Sequence, residues 1–476
     1  MQHLEKWLVT FKKPITNPSK RALAVSLGLA ALIVQLFITF RVDQDVRRGR
    51  QDTDFKTFYY SIGEAQKGNN IYTMHSRHVE WKVFPYMYPP TLTSLIIPLR
   101  FFSYPNALFI WNLFSVLLFG LSGYLLHRWL AAMGSTWEGL PVGIGMLALG
   151  WVCEENLVWG QVNVWLLTAI AGFLLLLQKR RFAIAGFLLG GAFAIKLYPL
   201  ALMVVCMAYG LRPLLKALAG FVVSLVVFLF LVPGIIYGFS WTWQTNAYFF
   251  KLALLSVHEG IRVLGWGDNC SNRSMLAALN WAFGKCGNAW GRLDLETIRL
   301  INRIITTVLI LVTSLCGAAA TIFRLLQHHR NIRGKEKNAV SDPPRGLISA
   351  LAIQGLLVAM LVPPISWPHH WVMLLVAMAV SAFYIESALS RFFKPSRAHA
   401  QAQAQAHAWA HARKARLLFL VLAASFAGAT IWITGAASKH LVDHMWAIAG
   451  GMLLAWLMIT ACVVGEITLG VCDLDC

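Results

Sequence analysis

The chain has 476 residues, of which 58% are hydrophobic and only 13% are charged. Its apolar runs repeatedly reach the ~20 residues that a helix needs to cross a bilayer, so the composition excludes a soluble globular protein. The net charge of +20 would suit a nucleic-acid-binding protein. However, the basic residues form short clusters between apolar runs, as cytoplasmic loops of membrane proteins do. The chain is therefore predicted to be an all-α integral membrane protein surrounded by membrane lipids, with no nucleic-acid partner.

The apolar runs predict a bundle of about 11–12 transmembrane helices. They fall at roughly 22–40, 104–126, 139–153, 162–178, 183–195, 197–210, 215–237, 302–325, 346–364, 371–388, 416–435 and 444–467. The first run is too long for a signal-peptide core and has no cleavage site after it, which predicts a retained helix. With the N-terminus inside, the basic clusters all fall on the cytoplasmic side.

Three of the apolar segments are too short to cross a bilayer alone. Runs 183–195 and 197–210 have basic residues at both outer ends, which predicts a V-shaped pair with Lys196 at its apex. The segment TLTSLIIPL at 91–99 follows two prolines and is expected to re-enter the membrane from the outer face.

We expect residues 1–476 to form a single polytopic membrane domain with two long outer loops, 41–103 and 238–301. The segment 389–415 is a low-complexity cytoplasmic loop rich in Ala, Gln and His, and 416–476 forms a C-terminal helix pair. The loop histidines lack Cys or acidic partners, so no metal site is predicted there. Cys270 and Cys286 share the second outer loop and could form a disulfide if the outside is oxidising.

The first outer loop contains a short amphipathic helix. Phe55, Phe58, Tyr59 and Ile62 in DFKTFYYSIGEAQKG have the i, i+3, i+4, i+7 spacing of one helix face. Asp52 or Thr53 would cap this helix and Gly68 would end it, with the apolar face on the membrane surface. Asp54 then lies in the first turn, where the helix dipole alone could explain a carboxylate.

The remaining polar residues near the bilayer are predicted to gather at its outer face. A charge at the centre of a membrane helix costs ~2.5–3.5 kcal/mol, so ionisable residues near the bilayer are candidates for function. The residues concerned are Asp54, Tyr88, Glu154, Glu155, Gln161, Asn163, Lys196, Asp268, Asn272, Arg273, Ser366, His369 and His370. One outward-facing polar site would account for all of them.

Seven motifs occur in the order DFKTFYY, GNNIY, YPPTLTSLIIPL, WGQVNVWLL, GGAFAIKLYPL, NRSM and PPISWPHHWVMLL. In this order the chain resembles glycosyltransferase family 87 over roughly residues 22–388. The resemblance implies a GT-C architecture and an enzyme that uses a polyprenyl-phosphate sugar, typically mannose, outside the membrane. It also implies inversion at the anomeric carbon, no metal or other cofactor, and Asp54 as the catalytic base. One motif departs from the family, which usually has NQS where this chain has Asn272-Arg273-Ser274.

A lipid-phosphate donor needs cationic and hydrogen-bonding groups around its phosphate. The candidates are Lys196, Arg273, Ser366, His369 and His370, the last three at the N-terminus of an apolar helix. Each candidate also has a simpler interpretation that needs no phosphate: Lys196 could snorkel to the interface, Arg273 could be solvated, and the histidines could pack at the interface. Candidates for binding the sugar or the acceptor, a glycolipid or glycan, are Tyr88, Gln161, Asn163, Asn272 and Glu155.

Three other functions stay open at this stage. An arabinofuranosyl or other pentose donor would use the same site, and a lipid-linked-sugar transporter or flippase would also place charges within broken helices. A non-catalytic lipid-binding protein would not need Asp54. We expect an enzyme of the cytoplasmic (inner) membrane with its active site facing the outside or periplasm.

Overall fold

The computed structural model describes residues 18–81, 83–137, 139–255, 295–333, 345–361, 368–380 and 383, and these are helical without any strand. The α-helices are α1 Pro18–Arg47, α2 Asp54–Gln66, α3 Met74–Arg77, α4 Pro90–Leu95, α5 Tyr104–Met133, α6 Leu140–Ala148, α7 Gly150–Trp159, α8 Asn163–Gln178, α9 Phe182–Ile195, α10 Val204–Met207, α11 Leu211–Leu225, α12 Val232–Tyr237, α13 Phe239–Leu255, α14 Leu295–Arg333 and α15 Arg345–Leu361. Short 3₁₀ helices span Ile71–Thr73, Val79–Trp81, Ile97–Phe101, Tyr198–Met203 and Pro368–Met373, and a π-helical turn spans Val226–Leu231.

Four helices in the described part of the chain are long and apolar enough to cross a membrane: Ser19–Arg47, Tyr104–Met133, Leu211–Tyr237 and Leu300–Leu326. They coincide with predicted spans. Shorter apolar helices cover Asn163–Gln178, Phe182–Ile195, Tyr198–Met207 and Leu347–Met360. The prediction of an all-α membrane protein is confirmed. Segments 389–415 and 416–476 lie outside the described residues, so the predicted number of spans stays a prediction.

The run 139–153, predicted as one span, consists of two short helices. α6 ends at Ala148 and α7 begins at Gly150, with Leu149 between them at φ −91° and ψ 12°. Beside this break, Gln35 Nε2 of α1 donates a hydrogen bond to Gly150 O at 2.9 Å. The sequence did not predict this break because its apolar run is continuous, and the crossing of the two helices as one membrane span stays a prediction.

The predicted pair of short helices at 183–210 is present, although its second half begins as a 3₁₀ helix. Lys196 is extended between the two halves, with φ −150° and ψ 135°. α9 packs closely on α11 through small residues: an added Cβ at Gly186 would lie 1.8 Å from Ala217 O, and one at Gly220 would lie 1.9 Å from Ala183 O. Small residues allow membrane helices to approach this closely.

The amphipathic helix is confirmed as α2, with Thr53 as its N-cap and Gly68 just past its end at φ 74°. Its apolar face, however, packs on protein: Phe55 and Ile62 have 0% exposure. The Phe55 ring lies 5.4 Å from that of Trp111 in α5. The predicted contact of this face with the membrane surface was therefore wrong. Periodicity alone could not show this, because a face that meets lipid and a face that meets a neighbouring helix have the same spacing of apolar residues.

The loop after α2 is held to it by a buried carboxylate. Glu64 is 1% exposed, accepts a hydrogen bond from Asn69 Nδ2 at 3.1 Å and forms an ion pair with Arg77, whose Nη2 is 2.9 Å from Glu64 Oε2. Burial alone would raise the pKa of Glu64, but the Asn69 hydrogen bond and the charges of Arg77, His78 and Lys67 lower it overall. The loop therefore has a fixed position relative to α2, the helix that begins at Asp54.

Candidate active site

Asp54 is the first residue of α2, and the start of this helix is fixed to α5. Thr53 accepts a hydrogen bond from Lys56 N at 3.3 Å and shares another with the Tyr104 hydroxyl at 2.8 Å. One residue further along, Phe55 is buried beside Trp111. The carboxylate of Asp54 is thus presented from a rigid helix end, itself only partly buried.

The turn between α7 and α8 brings an amide to this carboxylate. Gly160 ends α7 at φ 63°, and an added Cβ would lie 2.5 Å from the Cβ of Phe55, so only glycine fits without displacement. Trp111 Nε1 donates to Gly160 O at 3.0 Å. Gln161 follows, and its Nε2 donates to Asp54 Oδ2 while its Oε1 accepts from the Tyr88 hydroxyl at 2.8 Å.

Tyr88 connects the acidic half of the site to its basic half. Its side chain is 9% exposed, and its ring lies beneath the ammonium of Lys196, with Nζ 5.2 Å from the ring centroid. This distance is within the range of a cation–π contact. Lys196 and Asp54 therefore line one polar region and share Tyr88 as a neighbour.

Lys196 is the centre of the basic half. Its Nζ donates to Asn163 Oδ1 at 3.0 Å and lies 2.8 Å from His370 Nε2. Tyr198 completes the cluster, because its hydroxyl donates to Asn163 Oδ1 at 3.2 Å and its ring centroid lies 6.0 Å from that of His370. Because an ammonium only donates, His370 Nε2 accepts from Lys196, and the imidazole can donate to a ligand only through Nδ1.

One donor in this cluster has no partner among the described residues. Asn163 has 0% exposure, and both contacts to its side chain go to Oδ1, leaving its buried Nδ2 without a hydrogen bond. Asn163 is also the first residue of α8, and the first N–H groups of a helix have no hydrogen-bond acceptor within that helix. An unpaired buried amide is costly unless a ligand or water satisfies it, so this end of α8 is suited to an anionic oxygen.

The surroundings of Asp54 make it a base near neutral pH. Burial raises its pKa to about 6, and the Gln161 hydrogen bond and the charge of Lys196 each act in the opposite direction. An ionised carboxylate with this pKa is a stronger base than an exposed aspartate and is still mostly ionised at pH 7.

The structure brings together Asp54, Tyr88, Gln161, Asn163, Lys196 and His370 of the residues singled out in the sequence. Glu155 lies one helical turn before Trp159 and accepts from Trp159 Nε1 at 3.0 Å. The backbone of His369 and of His370 belongs to the 3₁₀ helix Pro368–Met373. The two histidines thus lie within a short helix, whereas the sequence predicted that a helix would begin after them. Asn272, Arg273, Ser366, Cys270 and Cys286 lie outside the described residues.

Sequence analysis missed Tyr198 as a site residue. It follows Lys196 by two positions at the apex of the broken helix pair, and that placement was the available signal. Among the described residues no group of three or more His, Cys, Asp and Glu side chains is arranged to hold a metal ion.

These features define a polytopic α-helical membrane protein with a carboxylate, a lysine and a histidine gathered in one polar site. The sequence profile of glycosyltransferase family 87 matches residues 86–342, just over half of the chain. The protein belongs to this family and is therefore a membrane glycosyltransferase. In two further comparisons, no curated protein and no solved structure matches the chain.

Proposed function

We propose that the protein transfers mannose from a polyprenyl-phosphate carrier to a hydroxyl of a glycolipid or glycan, at the outer face of the cytoplasmic membrane. The observation that carries this proposal is that Asp54 and Lys196 meet at Tyr88: Asp54 is connected to the Tyr88 hydroxyl through Gln161, and the Lys196 ammonium lies over the Tyr88 ring. One side of the site can accept a proton and the other can bind a phosphate, which are the two tasks of this reaction.

Asp54 is the base in this proposal. As the acceptor oxygen attacks the anomeric carbon, its proton passes to the Asp54 carboxylate, and the bond between the anomeric carbon and the phosphate oxygen breaks. Attack from the face opposite the phosphate inverts the configuration. A positioned general base typically accelerates such a step by ~10²–10⁴-fold. Gln161 orients the carboxylate through its hydrogen bond and leaves one carboxylate oxygen for the acceptor.

The basic half of the site receives the leaving phosphate in this proposal. The Lys196 ammonium, the His370 imidazole and the unpaired Asn163 Nδ2 would all donate to its oxygens. Charge-assisted hydrogen bonds are the stronger ones, so the gain increases as negative charge develops on the phosphate. Arg273, Ser366 and His369 remain proposed additional donors on the basis of their motifs.

The position of Lys196 favours a donor linked to lipid. It lies between two short apolar helices, Phe182–Ile195 and Tyr198–Met207, so a phosphate bound to it has apolar helix surface on both sides. A polyprenyl chain could lie along that surface while its phosphate reaches the ammonium. We propose that the reaction needs no metal and no other cofactor.

The test is a transfer assay with purified protein in nanodiscs and a crude lipid-glycan extract as acceptor. Radiolabelled polyprenyl-phosphate mannose, polyprenyl-phosphate arabinofuranose and GDP-mannose are compared as donors. We expect transfer from polyprenyl-phosphate mannose and none from GDP-mannose. Transfer from the arabinofuranose carrier alone would replace the sugar but keep the donor class, whereas transfer from GDP-mannose alone would overturn the proposal.

A further inference from the structure

Two aromatic rings, one bonded through its backbone to α2 and one just before the Gly160-Gln161 turn, have no role in the chemistry described above. Phe84 and Trp159 have ring centroids 6.4 Å apart with an interplanar angle of 67°. Phe84 is 37% exposed on an outer loop, and Trp159 is half-buried at the end of α7. The pair thus presents aromatic surface that is not fully covered by the protein.

Both rings are fixed relative to Asp54. Phe84 N donates to Thr57 Oγ1 at 2.9 Å, and that hydroxyl donates to Phe84 O at 3.2 Å. Thr57 lies one helical turn after Asp54 in α2. On the other side, Trp159 precedes Gly160 and Gln161, and Gln161 donates to Asp54. Each ring is therefore linked by a short rigid path to the proposed base.

A carboxylate accompanies the rings. Glu155 Oε2 accepts from Trp159 Nε1 at 3.0 Å, which orients the indole. A carboxylate has two oxygens, and each can accept more than one hydrogen bond. A carboxylate beside an aromatic pair is unfavourable in contact with hydrocarbon, so a role as a lipid anchor does not fit this surface. It does fit a ligand that has apolar ring faces and hydroxyl donors at its edge.

We propose that Phe84, Trp159 and Glu155 form a saccharide platform that holds a pyranose ring of the acceptor beside Asp54. The C–H face of the sugar packs on the aromatic rings and its hydroxyls donate to Glu155. The inference rests on the proposed function for its place in the reaction and identifies the acceptor as a glycan or glycolipid with an exposed sugar. The fixed orientation of Phe84 and Trp159 reduces the ordering cost of binding.

The test measures saccharide binding without any donor, using radiolabelled disaccharides of mannose, glucose and galactose and protein in nanodiscs. We expect at least one to bind to wild type. Trp159→Ala and Phe84→Ala should each weaken that binding by about tenfold or more, and Trp159→Phe should restore most of it. Trp243→Ala is the matched control, because Trp243 is 67% exposed on α13 and should leave binding unchanged. Thermal unfolding of each variant confirms that it is folded.

Two results would overturn the platform: no binding of any of the three disaccharides to wild type up to about 10 mM, or equal binding to wild type and Trp159→Ala. Transfer from polyprenyl-phosphate mannose, measured in parallel, separates the two proposals. If disaccharide binding depends on Trp159 but no transfer is detected, the proposed function is wrong and the platform stands. If transfer is detected and Trp159→Ala has the same KM for the acceptor as wild type, the platform is wrong and the proposed function stands.

Discussion

Replacement of Gln161 by leucine should change the pH dependence of the enzyme. Gln161 Nε2 donates to Asp54 Oδ2, and this bond lowers the pKa of a carboxyl that burial has raised to about 6. Leucine has a similar volume and cannot donate. In Gln161→Leu the ionised form of Asp54 loses its partner, so the pKa of Asp54 must rise.

The size of the effect follows from the bond that is lost. A hydrogen bond to a charged group contributes ~1.5–3 kcal/mol, which corresponds to ~1–2 pKa units. The pKa of Asp54 in the variant should therefore lie near ~7–8. At pH 7 the ionised fraction falls from ~90% to between ~10% and ~50%, so kcat/KM should fall by ~2–10-fold and recover near pH 9.

The assay is kcat/KM for sugar transfer between pH 5 and pH 9. Wild-type activity should fall about tenfold per pH unit below pH 6, because only the ionised carboxylate accepts a proton. Tyr88→Phe is the matched control: it removes the hydroxyl that donates to Gln161 Oε1 but leaves the Asp54 bond intact. A Gln161→Leu defect of equal size at pH 7 and pH 9 would refute the reasoning, because it would show that ionisation of Asp54 is not affected.

Three further predictions concern the donor, the turn before Gln161 and metal. Lys196→Met should weaken binding of radiolabelled polyprenyl-phosphate mannose by ~10–100-fold. Lys179→Met should bind this donor like wild type, because Lys179 follows the end of α8 that is opposite to Asn163. Equal affinities in both variants would contradict the role of Lys196. Gly160→Ala should lower both Tm and transfer, because its Cβ would lie 2.5 Å from that of Phe55. Gly150→Ala, whose Cβ meets its nearest atom at 3.6 Å, is the control, and equal Tm values would contradict the steric argument. EDTA should leave transfer unchanged, and loss of activity that Mg²⁺ or Mn²⁺ restores would contradict a metal-free reaction.

The amphipathic helix shows what sequence patterns can and cannot predict. The spacing of Phe55, Phe58, Tyr59 and Ile62 correctly predicted α2, and Thr53 was correctly predicted as a candidate cap. The surface that covers the apolar face could not be predicted, because lipid and protein select the same periodicity. The break at Leu149 was missed for a similar reason: its apolar run is continuous, while Gln35, 115 positions away from Gly150, makes the contact beside the break.

The candidate site was partly predictable because the order of apolar runs and basic clusters assigns its members to the same predicted side of the membrane. That predicted topology alone grouped Asp54, Lys196 and His370. It could not pair them, since Lys196 and His370 are 174 positions apart and meet only through the packing of α8, α9 and the 3₁₀ helix Pro368–Met373. Tyr198 was missed because a tyrosine near the bilayer is more often an interfacial residue than a ligand for a site asparagine.

The central claim is that Asp54 takes the proton of the acceptor. The most direct test loads the purified enzyme with radiolabelled polyprenyl-phosphate mannose and measures the single-turnover rate of transfer in wild type, Asp54→Asn and Asp52→Asn. Asp52 is the matched control, because it lies two positions before Asp54 in the sequence but its side chain is 59% exposed and forms an ion pair with Lys56. We predict that Asp54→Asn binds the donor like wild type and loses ~10²–10⁴-fold in rate, while Asp52→Asn keeps the wild-type rate. Equal rates in all three proteins would contradict the claim and remove Asp54 from the mechanism.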